Sequence, residues 1–159
     1  HWLDAGDGLV LHQFRPARQP RRTDTLTGDE VDVGDRLPLC PIPITPTLIV
    51  SAAIASRDYQ DVHHDRDLAH RKGSSDIFMN ILTTGGFVGR WISDWAGPDA
   101  VFKNLKIRLG APKYPYDTMT MSGSITELDG DVVTVAFQGL NSIGAHVTGT
   151  VDLELPKGA

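Results

Sequence analysis

The chain has 159 residues, 40% of them hydrophobic, which is enough for one domain with a core and too little for two ordinary ones. Fifteen basic residues against twenty acidic ones give a formal charge of −5, a balance that does not invite nucleic acid or an anionic membrane surface. Cys40 is the only cysteine, so an intrachain disulfide is excluded; the apolar stretch around Leu48 to Ala55 is far short of the roughly 20 residues that span a bilayer, and no segment has the pattern of a signal peptide. A reducing, cytoplasmic setting is expected.

Residues His1 to Asp32 carry Arg15, Arg18, Arg21 and Arg22 among prolines and polar residues, without a sustained period of 2 or 3.6. They read as a polar arm, flexible or bound to a partner, with the folded domain spanning 33–159. The proline-rich "LPLCPIPITPT" reads as an extended segment leading into a short apolar helix over about Pro46 to Ser56. Thr45 is its expected N-cap and Pro46 its tolerated first residue, with Leu48, Ile49, Ala52, Ala53 and Ile54 offering a buried side.

After a polar helical turn, "RDLAHRKG", the segment "SDIFMNILTTGGFVGRWISDWAG" reads as a long buried helix capped by Ser75 or Asp76 and stopped at Gly97-Pro98. Gly85, Gly86 and Gly89 lie inside it, each costing about 1 kcal/mol relative to alanine. Two explanations compete: close packing of a sheet onto the helix, or room for a bulky substrate. Four segments rich in β-branched residues follow, "VFKNLKIRLGA", "DTMTMSGSITEL", "DVVTVAFQGLN" and "AHVTGTVDLEL", with Asp129-Gly130 as a hairpin signal. With one more strand before Thr45, the expected class is α+β, a curved antiparallel sheet of about five strands wrapped around the long helix.

The densest chemistry sits in "RDYQDVHHD", Arg57 to Asp65. Asp58 ends the first helix and His63 follows five residues later, so only a loop folding back brings them together. A carboxylate and an imidazole converging on one water could share its activation and the return of a proton. A solvated surface turn accounts for the same residues. So would a metal cage built from His63, His64 and Asp65 with Asp61 or His146, although adjacent histidines tend to point apart and no second closely spaced ligand pair exists. Asp65 is expected to cap the next helical turn, His146 to be a satisfied sheet residue, and Trp91 and Trp95 to serve core or interface first. Lys103, Lys106, Arg108 and Lys113 form the one dense basic cluster of the expected domain, a candidate for phosphate contact or a solvated strand face, with Arg90 a further candidate.

The order D-x-x-x-x-H-x-D-x-x-x-A-x-x-x-G, present as Asp58, His63, Asp65, Ala69 and Gly73 before a long apolar helix, resembles the signature of the MaoC-like, R-specific enoyl-CoA hydratases. "VGDRLP" at Val33 to Pro38 and "YPYDTMTMSG" at Tyr114 to Gly123 sit where that family has its first strand and its "GDT" strand, so the resemblance covers about Val33 to Pro156. More narrowly, "RDYQDVHHDRD", "DIFMNILT", "DWAGP" and "HVTGTV" are similar to the small MaoC-like subunits of actinobacterial steroid side-chain hydratases, which act in cholesterol breakdown.

The resemblance implies a hot-dog fold and hydration of an α,β-unsaturated acyl-CoA, a steroid side-chain enoyl-CoA in the narrower subgroup, with Asp58 and His63 as catalytic dyad. Asn80 falls where the family has a glycine whose N–H binds the thioester oxygen. Gly85, Gly89 and Tyr59, the last packing its ring with the phenol at the rim, are the further substrate-binding candidates. The family usually has Asn-Pro at Gln60 and Asp61 and often glycine at Arg57. The resemblance also implies no cofactor, coenzyme A being part of the substrate, no metal, and a second MaoC-like subunit in a hetero-oligomer to which a thiolase-type aldolase docks. Acyl-CoA thioester hydrolysis and a non-catalytic supporting role are the alternative readings.

Overall fold

The computed structural model describes residues 21–158. Strand β1 (Cys40–Ile44) leads into helix α1 (Pro46–Ala55); a short 3-10 turn (Asp61–His63) and helix α2 (Arg66–Arg71) precede the long helix α3 (Ile81–Ala96). Strands β2 (Val101–Leu109), β3 (Asp117–Asp129), β4 (Val132–Leu140) and β5 (Ala145–Glu154) complete a five-stranded sheet in the order β1-β3-β4-β5-β2, each neighbouring pair antiparallel. Pro41 and Pro43, which cannot donate to a ladder, sit in edge strand β1 with their side chains outward. Gly130, at φ 59° in the left-handed region, closes the β3–β4 hairpin at the expected place.

Alternation along the strands turns Met119, Met121 and Ile125, then Val133, Val135 and Phe137, then Val147, Val151 and Leu153 onto one inner face. Helix α3 answers with Thr84, Val88, Trp91, Ile92 and Ala96, all buried. Burial of each large apolar side chain contributes about 1.5–3 kcal/mol. Trp91 meets Phe137 edge to face at 6.4 Å, and its indole N–H donates to the Pro38 carbonyl at 2.9 Å. Among the described residues no helix is long and apolar enough to cross a membrane.

Two boundaries differ from expectation. Helix α3 starts at Ile81, later than expected, because Asn80 and not Ser75 or Asp76 takes the N-cap: its side-chain oxygen accepts from the Thr83 N–H at 3.0 Å. The preceding residues are extended and bonded elsewhere, Phe78 N–H to the Val62 carbonyl and Met79 N–H to the Lys113 carbonyl. The second difference lies in the N-terminal arm. Arg15 and Arg18 fall outside the described residues, but residues 22–31 run along the end of α3. Arg22 N–H donates to the Asp94 carbonyl, Leu26 N–H to the Ala96 carbonyl, and Leu26 and Val31 are buried in the core. A Cβ on Gly97 would run into the backbone of Asp24 and Thr25, so glycine there permits the close approach. Packing therefore begins before Val33.

Candidate active site

Helix α1 ends in a Schellman motif. Arg57 N–H donates to the Ile54 carbonyl at 3.0 Å and Asp58 N–H to the Ala53 carbonyl at 2.9 Å, with Arg57 in the left-handed region at φ 56°. The turn fixes where Asp58 leaves the helix. Five residues on, the Asp61–His63 turn folds the chain back, and His63 comes to rest 8% exposed with Phe78 edge-on at 5.0 Å. His63 Nδ1 lies 2.7 Å from the Phe78 carbonyl oxygen, which can only accept, so Nδ1 carries a proton. Nε2 is left facing Asp58 Oδ2 at 3.4 Å.

Asn80 joins them. Its side-chain Nδ2 donates to Asp58 Oδ2 at 3.1 Å and to Ser56 Oγ at 2.8 Å, while its Oδ1 caps α3. One buried asparagine thus ties the carboxylate, the end of α1 and the start of α3 together. Its candidacy from sequence rested on its backbone position; the side-chain role was missed, and so was Ser56. The residue type was the available signal, since an asparagine N-cap accepts at its amide oxygen while its NH2 group keeps two donors for other partners.

The remaining histidine and aspartates of the loop disperse. His64 turns outward with Nε2 3.1 Å from the Tyr59 carbonyl, Asp65 caps α2 by accepting from Leu68 N–H, and Asp61 pairs with Lys72 at 2.9 Å, a hydrogen bond that holds its carboxyl below the usual range. Among the described residues no three such side chains converge as a metal would require. Tyr59 is 66% exposed, so its ring does not pack as expected.

Of the glycines, Gly85 has only Ile107 Cδ1 near the position of an added Cβ, at 4.0 Å, and at Gly86 and Gly89 such a Cβ would meet nothing within 4 Å. Close packing by this chain's own sheet therefore does not explain the stripe. The basic cluster divides. Lys106 and Arg108 are exposed on edge strand β2, and Lys103 pairs with Glu154 beside a bulge. Lys113 is wholly buried and is no surface residue: its Nζ donates to Met119 Sδ at 3.2 Å and lies 5.5 Å from the centre of the Phe87 ring. Burial pushes its amine down to about 7. Arg90 pairs with Asp94 one turn along α3.

No protein-family model matches the chain. It is 52% identical over 123 residues to the 3-oxo-4,17-pregnadiene-20-carboxyl-CoA hydratase beta subunit of Mycobacterium tuberculosis, covering 77% of this chain and 95% of that one. Among solved structures, a chain of the ChsH1-ChsH2 complex from Mycobacterium tuberculosis superposes with a TM-score of 0.78 at 51% identity, over 79% of this chain and 99% of that chain. The R-hydratase PhaJ1 from Pseudomonas aeruginosa follows with a TM-score of 0.77 at 19% identity, over 86% and 89%, a likeness of fold. The chain belongs to the family of the steroid side-chain carboxyl-CoA hydratase beta subunit, MaoC-like hydratases built on the hot-dog fold.

Proposed function

We propose that this chain is a catalytic hydratase subunit that adds water across the α,β double bond of a steroid side-chain acyl-CoA thioester, with Asp58 and His63 activating the water. The observation that carries the reading is the pairing of Asp58 Oδ2 with His63 Nε2 at 3.4 Å, the imidazole oriented by the Phe78 carbonyl and the carboxylate by Asn80. Because Nδ1 donates to the Phe78 carbonyl, the lone pair of a neutral His63 lies on Nε2, where a water set between Nε2 and Oδ2 would have an acceptor for the proton it loses. Its oxygen bonds to the β-carbon while the π electrons move toward the thioester, whose oxygen takes the enolate charge. The dyad then returns a proton to the α-carbon, and water has been added without other reactant.

The enolate oxygen needs a donor. Asn80 uses the Thr83 N–H, and the Thr84 N–H bonds the Asn80 carbonyl, so the donors at the start of α3 left for the thioester oxygen are the backbone N–H groups of Asn80 itself, Ile81 and Leu82. One such donor is worth about 3 kcal/mol at comparable sites. The uncovered faces of Gly85 and Gly89 leave room beside α3 for a bulky acyl group, Tyr59 stands at the rim, and Lys106 and Arg108, with Lys103 held by Glu154, are the candidates for coenzyme A phosphates. On its similarity to a chain of the ChsH1-ChsH2 complex, the subunit works with a second MaoC-like chain. Docking of a thiolase-type aldolase to that assembly, and a cytoplasmic setting, complete the reading.

The test is mass spectrometry of water gain on a steroid enoyl-CoA by the chain with and without its second subunit. Asp58→Asn and His63→Ala in the assembled complex are expected to lower kcat by at least about a hundredfold. Full activity of both variants would leave a bracing subunit, and release of free thiol would mark a thioesterase.

A further inference from the structure

A second line of hydrogen bonds approaches the dyad through the interior. His146 on β5 and Thr84 on α3 are 2% and 0% exposed. His146 Nδ1 lies 2.7 Å from the Ala111 carbonyl oxygen and so carries a proton. Burial first, and then the charge of Lys113, push this imidazole toward its neutral form, against the smaller opposing effect of the bond to Ala111. Nε2 then has a lone pair, and it accepts the Thr84 hydroxyl at 2.9 Å. Thr84 in turn donates its N–H to the Asn80 carbonyl at 3.2 Å, and Asn80 holds Asp58 Oδ2.

We infer that His146 and Thr84 are positioning residues for the hydration dyad: they anchor the first turn of α3 to β5 and, through Asn80, set the place of the Asp58 carboxylate. The inference rests on the reading of Asp58 and His63 given above. A buried hydroxyl and imidazole contribute little net stability, because each exchanges its bonds to water for bonds in the protein, and an apolar pair of similar volume would fill the same space. What the polar pair adds is direction. An apolar contact lets a helix end slide, whereas a 2.9 Å hydrogen bond to an imidazole itself fixed at 2.7 Å does not. The first turn of α3 carries both the holder of Asp58 and the N–H groups assigned to the thioester oxygen. A displacement of about 1 Å there is enough to cost up to a hundredfold in rate.

The experiment measures kcat and KM for water addition to a steroid enoyl-CoA by the full chain in complex with its second subunit, with folding of each variant followed by circular dichroism. Thr84→Val removes the hydroxyl at constant shape; kcat should fall on the order of tenfold with KM held within about twofold, and Thr84→Ser should restore most of the loss. His146→Gln, which keeps an acceptor near the Nε2 position, should retain more kcat than His146→Leu. Folded Thr84→Val with kcat within about twofold of the parent, or no advantage of Ser over Val, overturns the inference while Asp58→Asn remains inactive. If Thr84→Val does not fold, equal kcat for His146→Gln and His146→Leu overturns it. Should Asp58→Asn keep full activity, the dyad reading fails and takes the inference with it.

Discussion

Arg57 occupies the left-handed position of a Schellman motif, at φ 56°, where glycine is the usual residue. A side chain there costs about 1–2 kcal/mol through the clash of Cβ with the following carbonyl. Arg57→Gly is therefore expected to stabilise the fold by about 1 kcal/mol, read as a higher denaturant midpoint at unchanged slope. Lys113 is the second residue at odds with stability. Its folded amine is lowered from 10.5 to about 7, so the unfolded chain binds that proton more tightly. The penalty is full below pH 7 and fades as pH rises from about 7 through about 10.5, so this group makes stability rise with pH across that window. Lys113→Met should gain a few kcal/mol at pH 6.5, and its advantage over the parent should shrink in unfolding measurements at pH 8 and pH 9.5. Neither feature could be read from residue type alone. Lysine in a basic stretch signals surface, and only the packing of Met119 and Phe87 shows this one turned inward.

At the scale of elements, helix α3 shows how apolar period and capping compete. Ile77 continues the helical spacing of Ile81, Thr84 and Val88, yet the helix stops short of it because Asn80 caps and the backbone of Phe78 and Met79 finds partners in Val62 and Lys113. Ile77 is buried all the same, through an extended segment, whereas Ile81 is half exposed. The glycine stripe of the same helix is now testable. Nothing lies within 4 Å of a Cβ placed on Gly86, so Gly86→Ala should stabilise the isolated chain by about 0.5–1 kcal/mol. A loss of turnover on a steroid enoyl-CoA beside that gain would mark the stripe as space the assembled enzyme uses.

The whole molecule closes one end of α3 with its own N-terminal segment. Leu26 and Val31 belong to the main core, and Thr25 Oγ1 is bonded both to the Asp99 carboxylate and to the Asp99 N–H. Leu26→Ala should cost about 2–4 kcal/mol, measured by thermal or denaturant unfolding; a change below about 0.5 kcal/mol would mean that the segment is the loose arm its composition describes. At the other side of the sheet, β2 leaves an exposed edge that carries Lys106 and Arg108 together with Val101, Phe102, Leu105 and Leu109. Such an edge is a liability in a lone chain.

Sequence alone determined the order of the elements, the hairpin at Asp129-Gly130 and the caps at Thr45 and Asp65, since turn chemistry, capping and alternation are local and act within a few residues; Asp58 and His63 are singled out as a candidate dyad by the family resemblance, not by their spacing. Tertiary structure decided what depends on partners distant along the chain. It turned Lys113 inward, drew residues 22–31 onto the core, left the glycine stripe uncovered, and joined Asn80 to Asp58 and His146 to Thr84 across 22 and 62 positions. The physical reason is that a side chain's hydrogen-bond partner and its burial are properties of the packed whole, whereas its backbone preference is its own.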